Sequence, residues 1–242
     1  MAGMLYVVAT PLGNLEDITL RALRVLQEVD LIATEDTRRT RILLEHYHIS
    51  KPLTSLYDYN EAQKAPMLIR RLQEGVSIAL VSDAGTPLIS DPGYRLVQLA
   101  ISREIRVIPI PGPSAVVAVL SVAGLPTDRF VFEGFLPKKP GKRHRCLVAL
   151  SEEPRTLIFY ESPRRVVELL GEMQAVWGDR RVVLARELTK KFETILRGRF
   201  TEVQAQLEEH PPQGEVTLAV EGATAAEQPP ASHDLDDLSD LC

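Results

Sequence analysis

The stretch Val76–Ala115, VSIALVSDAGTPLISDPGYRLVQLAISREIRVIPIPGPSA, holds two short apolar runs with an amphipathic one between them. Val76 to Ser82 is unbroken enough to be a strand buried on both faces. From Tyr94 to Arg103 the apolar residues Leu96, Val97, Ala100 and Ile101 recur at helical spacing, and Ile105 to Ile110 is apolar again. Strand, helix, strand with a short return means a parallel pair and a sheet covered by helices. The connection from Ser82 to Gly93 is far longer than a strand-to-helix link needs. Two glycines and two prolines make it both permissive and stiff.

The same alternation extends towards the N-terminus. Leu5–Ala9 and Leu31–Ala33 read as strands, and Thr37–Tyr47 as a helix. Asp17 is placed to cap a helix carrying Leu20, Leu23, Val25 and Leu26, and Asn60 to cap one that ends at Gly75. The N-terminus itself reads as a first strand and not a signal peptide, since it lacks a basic region and meets Pro11 within a dozen residues.

Towards the C-terminus strands follow one another directly. Residues 129–135, 156–160, 181–185, 193–197 and 215–220 fit strands, and 143–151, 164–176 and 201–210 fit helices. The expectation is an α/β protein of two domains. Residues 1–112 would carry a mainly parallel sheet with helices on both faces, and residues 113–222 a mixed sheet. Residues 223–242, rich in Ala, Pro and Asp, are expected to form a disordered acidic tail.

Of the 242 residues, 45% are hydrophobic and 25% charged, enough for a core without staples. Only Cys146 and Cys242 are present, which excludes a disulfide framework and a zinc knuckle and points to a reducing, cytoplasmic setting. The longest apolar run, Ser114–Leu125, is too short for a bilayer. The net charge of −5 resides in the tail: residues 1–222 hold 28 acids against 28 bases. Local clusters then matter. Lys138, Lys139, Lys142, Arg143 and Arg145 crowd one segment around His144, and Arg38, Arg39 and Arg41 another. Such patches suit a polyanion, although solvated loops and helix faces look the same.

Three Gly/Pro-bearing loops follow strands: Thr10–Asn14, Ser82–Gly93 and Pro109–Ala115. Ligands bind beyond the carboxyl ends of strands in open parallel sheets, so together the loops suggest one pocket for a small polar molecule. The helix after Ser114 is placed to offer its first amides to a carboxylate. The first strand is not followed by GxGxxG, and GxxxxGK[ST], HExxH and GxSxG are missing. His46 and His48 are two residues apart and do not share a helix face. No metal is expected.

VATPLGNLEDIT, IATEDTRRT, LVSDAGTPLISDPG, IPIPGPSA, FEGFLP, TLIFYESPRR and LARELTKKFE, in this order between Leu5 and Gly222, resemble the ribosomal RNA small-subunit methyltransferase I family, a branch of the tetrapyrrole methylases. The resemblance implies methyl transfer from S-adenosylmethionine to the 2′-hydroxyl of a cytidine ribose in the decoding region of 16S rRNA. The substrate would be the RNA or the small ribosomal subunit, and the enzyme a homodimer with its cofactor between two α/β domains. It places Asp83, Ala84, Gly85, Thr86, Pro87 and Leu88 on one wall of the cofactor site. Pro111, Gly112, Pro113 and Ser114 form the opposite wall, and Pro11 and Leu12 the floor. Phe159, Tyr160, Ala185, Arg186, Gly214 and Thr217 reach in from the second domain. The family pattern continues past the last strand with a helical segment where this sequence has its acidic tail: either this is a shortened member, or the RNA grip relies on the dimer and on Arg38, Arg39, Lys138, Lys139, Lys142, Arg143 and Arg145.

A base would assist attack by an alcohol near neutral pH. Lys190, Glu187 and Glu161 are the candidates, Lys190 with its pKa lowered by Arg186 and Lys191. Lys190 is equally suited to a phosphate contact, and the two glutamates to salt bridges with Arg186 or Arg164. Two rivals share the fold: a methylase of a corrin precursor or other tetrapyrrole, and a non-catalytic RNA-binding module.

Overall fold

The computed structural model describes residues 2–224. The acidic tail from residue 225 onward lies outside the described residues. Five strands form the first sheet: β1 (Leu5–Val8), β2 (Leu31–Thr34), β3 (Leu53–Ser55), β4 (Ile78–Val81) and β5 (Val107–Ile110). Their order is β3-β2-β4-β1-β5, and every neighbouring pair is parallel. Successive residues point to opposite faces, and both faces are covered. Ile78 and Leu80 pack with α3 (Asp58–Gln73) and α4 (Tyr94–Ser102). Ala79 and Val81 pack with α1 (Leu20–Glu28) and α2 (Thr37–His46). This two-sided burial is why the strands read as apolar runs without alternation.

The second sheet has the order β6-β7-β10-β8-β9, from β6 (Phe130–Phe135), β7 (Thr156–Glu161), β8 (Arg181–Arg186), β9 (Thr194–Arg199) and β10 (Val216–Val220). Only β6 and β7 run parallel; the other pairs are antiparallel. One face packs against α6 (Pro140–Ala149), α7 (Val166–Trp177) and α8 (Phe200–Glu209) around Phe159, Trp177 and Phe200. The other packs against α5 (Ala115–Ala123) through Val116, Val119 and Leu120. The helix that follows the Pro111–Ser114 loop thus serves the second sheet and not the first.

Two cap assignments are corrected. Asp17 lies inside a 3-10 turn, Leu15–Asp17, capped by Asn14, and Thr19 caps α1 by accepting from the Ala22 amide at 3.1 Å. Asn60 lies within α3, where its side chain reaches back to accept from the Tyr57 amide at 2.9 Å. The edge strand β3, three residues long, leaves too short a pattern to read. Among the described residues no helix is long and apolar enough to cross a membrane.

Candidate functional site

Because β1 lies between β4 and β5, the loops leaving these three strands emerge side by side. Hydrogen bonds tie them into one unit. The amides of Thr10 and Gly85 donate reciprocally to each other's carbonyls at 2.9 and 3.0 Å. Thr10 Oγ1 donates to the Ser82 carbonyl and Ser82 Oγ to the Gly85 carbonyl, both at 3.0 Å. Thr86 Oγ1 donates to the Pro113 carbonyl at 3.0 Å, closing the link to the third loop. Gly85 has φ +84°, and a Cβ there would lie 3.1 Å from Leu12 Cδ2. Further along, Leu88 and Ser90 hold φ of 73° and 66°. Two non-glycine residues in the left-handed region within three positions mark a loop whose shape is imposed by its surroundings.

The second sheet supplies the facing wall. Its central strands β7 and β10 pair Tyr160 with Thr217 and Glu161 with Val216, so the end of one and the start of the other coincide. Between these strand ends and the loops lies a cleft of about 460 Å³. Five carboxylates line it, Glu35, Asp83, Asp91, Glu161 and Glu215, and among the described residues Arg39 is the sole lysine or arginine on its wall. Burial, then the charges of Glu35 and Asp83, push Asp91 up to about 7. Burial and the Asp83 charge also raise Glu35. Burial, with Asp91 nearby, pushes the Tyr160 phenol up to about 12. Glu161 is buried; its Oε1 accepts from Arg165 Nη2 at 2.5 Å and from the Ser162 amide at 2.6 Å. Its Oε2 has no partner among the described residues. A buried carboxylate oxygen without a donor is costly.

Of the residues expected around a cofactor, Leu12, Asp83, Ala84, Gly85, Thr86, Ser114, Tyr160, Gly214 and Thr217 do line this cleft. Pro11 lines a smaller adjoining hollow, and Pro87 is buried beneath the loop. Leu88 packs on the first-sheet core. Pro111 and Gly112 are exposed at the loop's outer side, and Pro113 contributes the carbonyl that binds Thr86. Three expectations are corrected. Phe159 is fully buried on the opposite face of the second sheet, 6.1 Å from Trp177 ring to ring, because it is one residue out of phase with Tyr160. Ala185 is sealed beneath α5. Arg186 turns away to donate to the Phe192 carbonyl and Thr194 Oγ1 at 3.4 and 3.3 Å. Glu35 and Ser162 also line the cleft and were not anticipated; Ser90, Asp91 and Glu215 line it from segments that were expected to, though not singled out. Glu35 directly follows a parallel strand, so the rule that ligands lie beyond carboxyl ends already marks it.

The candidate bases fare differently from one another. Lys190 Nζ donates to Glu187 Oε1 at 2.9 Å and lies 3.2 Å from Glu215 Oε2. Burial disfavours its charge, but these carboxylates outweigh burial and raise its pKa, contrary to the lowering expected from Arg186 and Lys191. Its aliphatic stem lies over Gly13, where a Cβ would fall 2.1 Å from Lys190 Cγ. Glu187 is held by Lys190 and by the Glu215 amide at 2.9 Å, contacts that outweigh burial and lower its pKa. Glu161 pairs with Arg165, not with Arg164.

Among the basic residues, Arg143 is removed from the RNA-binding set. It is buried, with Nε and Nη2 on Glu172 at 2.5 and 2.6 Å and Nη2 on Glu168 at 2.6 Å. It clamps α6 to α7. Lys138, Lys139, Lys142 and Arg145 are exposed beside it. Arg38 forks onto Asp36 at 3.0 and 2.7 Å while staying largely exposed, and Arg39 stands 3.6 Å from Asp83 at the cleft rim. Among the described residues no three His, Cys, Asp or Glu side chains are placed to hold a metal.

The family model of the tetrapyrrole (corrin/porphyrin) methylases matches residues 4–204. Ribosomal RNA small subunit methyltransferase I of Escherichia coli O157:H7 is 56% identical over 229 residues, 93% of this chain and 80% of that protein. Its namesake from Pseudomonas aeruginosa is 58% identical over 195 residues, 80% of this chain and 69% of that protein. Among solved structures, uroporphyrin-III C-methyl transferase from Thermus thermophilus, complexed with S-adenyl homocysteine, superposes with a TM-score of 0.64 at 18% identity, covering 90% of this chain and 97% of that one. Diphthine synthase gives 0.68 at 18% identity, covering 90% of both. With two sheets, a cleft between them and identities of this size along nearly the whole described chain, the chain belongs to the tetrapyrrole methylase fold family and, within it, to the ribosomal RNA small subunit methyltransferase I family.

Proposed function

We propose that this chain transfers the methyl group of S-adenosylmethionine to the 2′-hydroxyl of a cytidine ribose in 16S rRNA. The observation that carries the reading is the cleft: three strand-tip loops locked together on one side, two paired strand ends on the other. The residues present fit the cofactor. Helix α5 opens at the cleft, with Ser114 and Ala115 on the wall and no side-chain cap at Ser114, so its first amides are available to a carboxylate. The carboxylates around it suit an ammonium and a sulfonium. When bound, S-adenosylmethionine supplies an electrophilic methyl group. The protein's part is to align the acceptor oxygen with it, which accounts for most of the rate in such displacements.

Relatives named for the small-subunit rRNA activity share 48–58% identity with the chain, whereas the tetrapyrrole-modifying structures share 16–21%. We take the RNA to be held as part of the small ribosomal subunit in the cytoplasm, by a homodimer, with Lys138, Lys139, Lys142, Arg145, Arg38 and Arg39 on its phosphates. Incubation with labelled cofactor and small subunits from cells lacking this methylation tests the reading. Label in a 2′-O-methylcytidine is expected; label transferred only to an added tetrapyrrole overturns it.

A further inference from the structure

We propose that Asp91 is the proton acceptor for the attacking ribose hydroxyl; this rests on the activity proposed above. Asp91 lies on the β4–α4 loop, on the wall of the cleft, next to Ser90, whose φ of 66° fixes the backbone at that point. It faces the strand ends from which Tyr160 and Glu161 project. Glu161, on the same wall, is fully buried and held by Arg165 and the Ser162 amide. Lys190 and Glu187 are neutralised by each other outside this cleft, and Glu161 is committed to Arg165. Asp91 has no ion-pair partner among the described residues. Around it stand Glu35 and Arg39 from the β2–α2 corner, Asp83 and Ser82 from its own loop, Asp58 from α3 and Tyr160 from β7. Acids outnumber bases there, and with burial they bring its proton affinity to about 7, where a general base works best.

In the reaction the O–H bond of the 2′-hydroxyl breaks and its proton passes to the Asp91 carboxylate. The new O–C bond forms as the C–S bond breaks, its electron pair remaining on sulfur as a thioether. Asp91 then returns the proton to solvent.

Asp91→Asn keeps the shape and removes the base. Its single-turnover rate at saturating cofactor is expected to fall about 100-fold or more, well beyond any loss of cofactor affinity measured by calorimetry. The wild-type rate should rise with pH to a plateau above neutrality, and the Asn variant should lose this limb. Asp91→Glu should recover part of the rate. Independently of turnover, the carboxyl carbon of Asp91 in ¹³C-labelled protein should titrate near pH 7 and be absent from the variant's spectrum. An Asn variant with the wild-type rate and pH limb, or an Asp91 carboxyl titrating below pH 5, overturns the assignment to Asp91 alone. Wild-type protein that puts no label on small-subunit RNA overturns the activity itself, and this role with it.

Discussion

Asp91 holds its proton more tightly in the folded chain than its ordinary value of 3.8 allows, and this has a consequence for stability. Below pH about 4 both folded and unfolded chains carry the proton. Between about 4 and 7 only the folded chain does, so its stability falls as pH rises, and above 7 the cost is complete. Asp91→Asn should therefore unfold at higher urea than wild type at pH 8, by on the order of 1–2 kcal/mol after allowance for solvent exposure, and show little difference at pH 4. Lys190 makes the opposite case. Held charged by Glu187 and Glu215, it is a poor proton acceptor, so Lys190→Ala should slow single-turnover transfer by less than about tenfold. A loss of several hundredfold would restore it as the base. Both outcomes were illegible in sequence for one reason. Asp91 is raised first by burial and then by Glu35, and Lys190, besides its near neighbour Glu187, is raised by Glu215; Glu35 and Glu215 are 56 and 25 positions away along the chain and meet them only through the sheets. By contrast Gly85, Thr86 and Ser114 were legible, since strand-end position and turn chemistry are local.

Among the elements, the strand-tip loops depend on left-handed residues, Gly85 among them, and a few crossing hydrogen bonds. Gly85→Ala adds a Cβ at φ +84° and 3.1 Å from Leu12, so it should cost about 1–2 kcal/mol and weaken cofactor binding at least tenfold by calorimetry. Unchanged affinity would show that the loop does not shape the site. Helices α6 and α7 depend on Arg143, whose buried guanidinium satisfies Glu172 and Glu168 together. Arg143→Ala should lower stability by about 2–3 kcal/mol in urea unfolding, less than a fully buried pair because Glu168 is largely exposed, and should leave the salt dependence of RNA binding intact. The sequence placed Arg143 with its basic neighbours because helix phase sorts them only once the helix start is known. With α6 beginning at Pro140, Arg143 shares the inward face with Leu147, four residues on, while Lys142 and Arg145 do not. The same sensitivity to phase misplaced Phe159: in a strand the faces alternate at every residue, and Tyr160 took the cleft.

For the whole molecule, the charge that matters is local. A cleft rich in carboxylates repels phosphate, so under the proposed function the RNA backbone would be held outside it, by exposed residues such as Lys138, Lys139, Lys142 and Arg145. Replacing those four with Ser should reduce the slope of log affinity against log salt by up to about 3, at about 0.7 for each phosphate no longer neutralised, while cofactor affinity stays unchanged. An unaltered slope would place the RNA elsewhere. The α/β alternation, the parallel first sheet and the mixed second one were readable because hydrophobic period reports burial directly; the three-residue β3 and the order of the second sheet were not, since pairing between distant strands leaves no local trace. That order has a further consequence. β10, last in sequence, lies between β7 and β8, so the second sheet stays in two separate ribbons until residues 216–220 arrive. During synthesis the first sheet has all its strands early, while in the second half the facing edges of β7 and β8 stay unpaired until β10 is made. A message broken shortly before codon 216 would yield a half-folded, sticky product fit for chaperones and proteases.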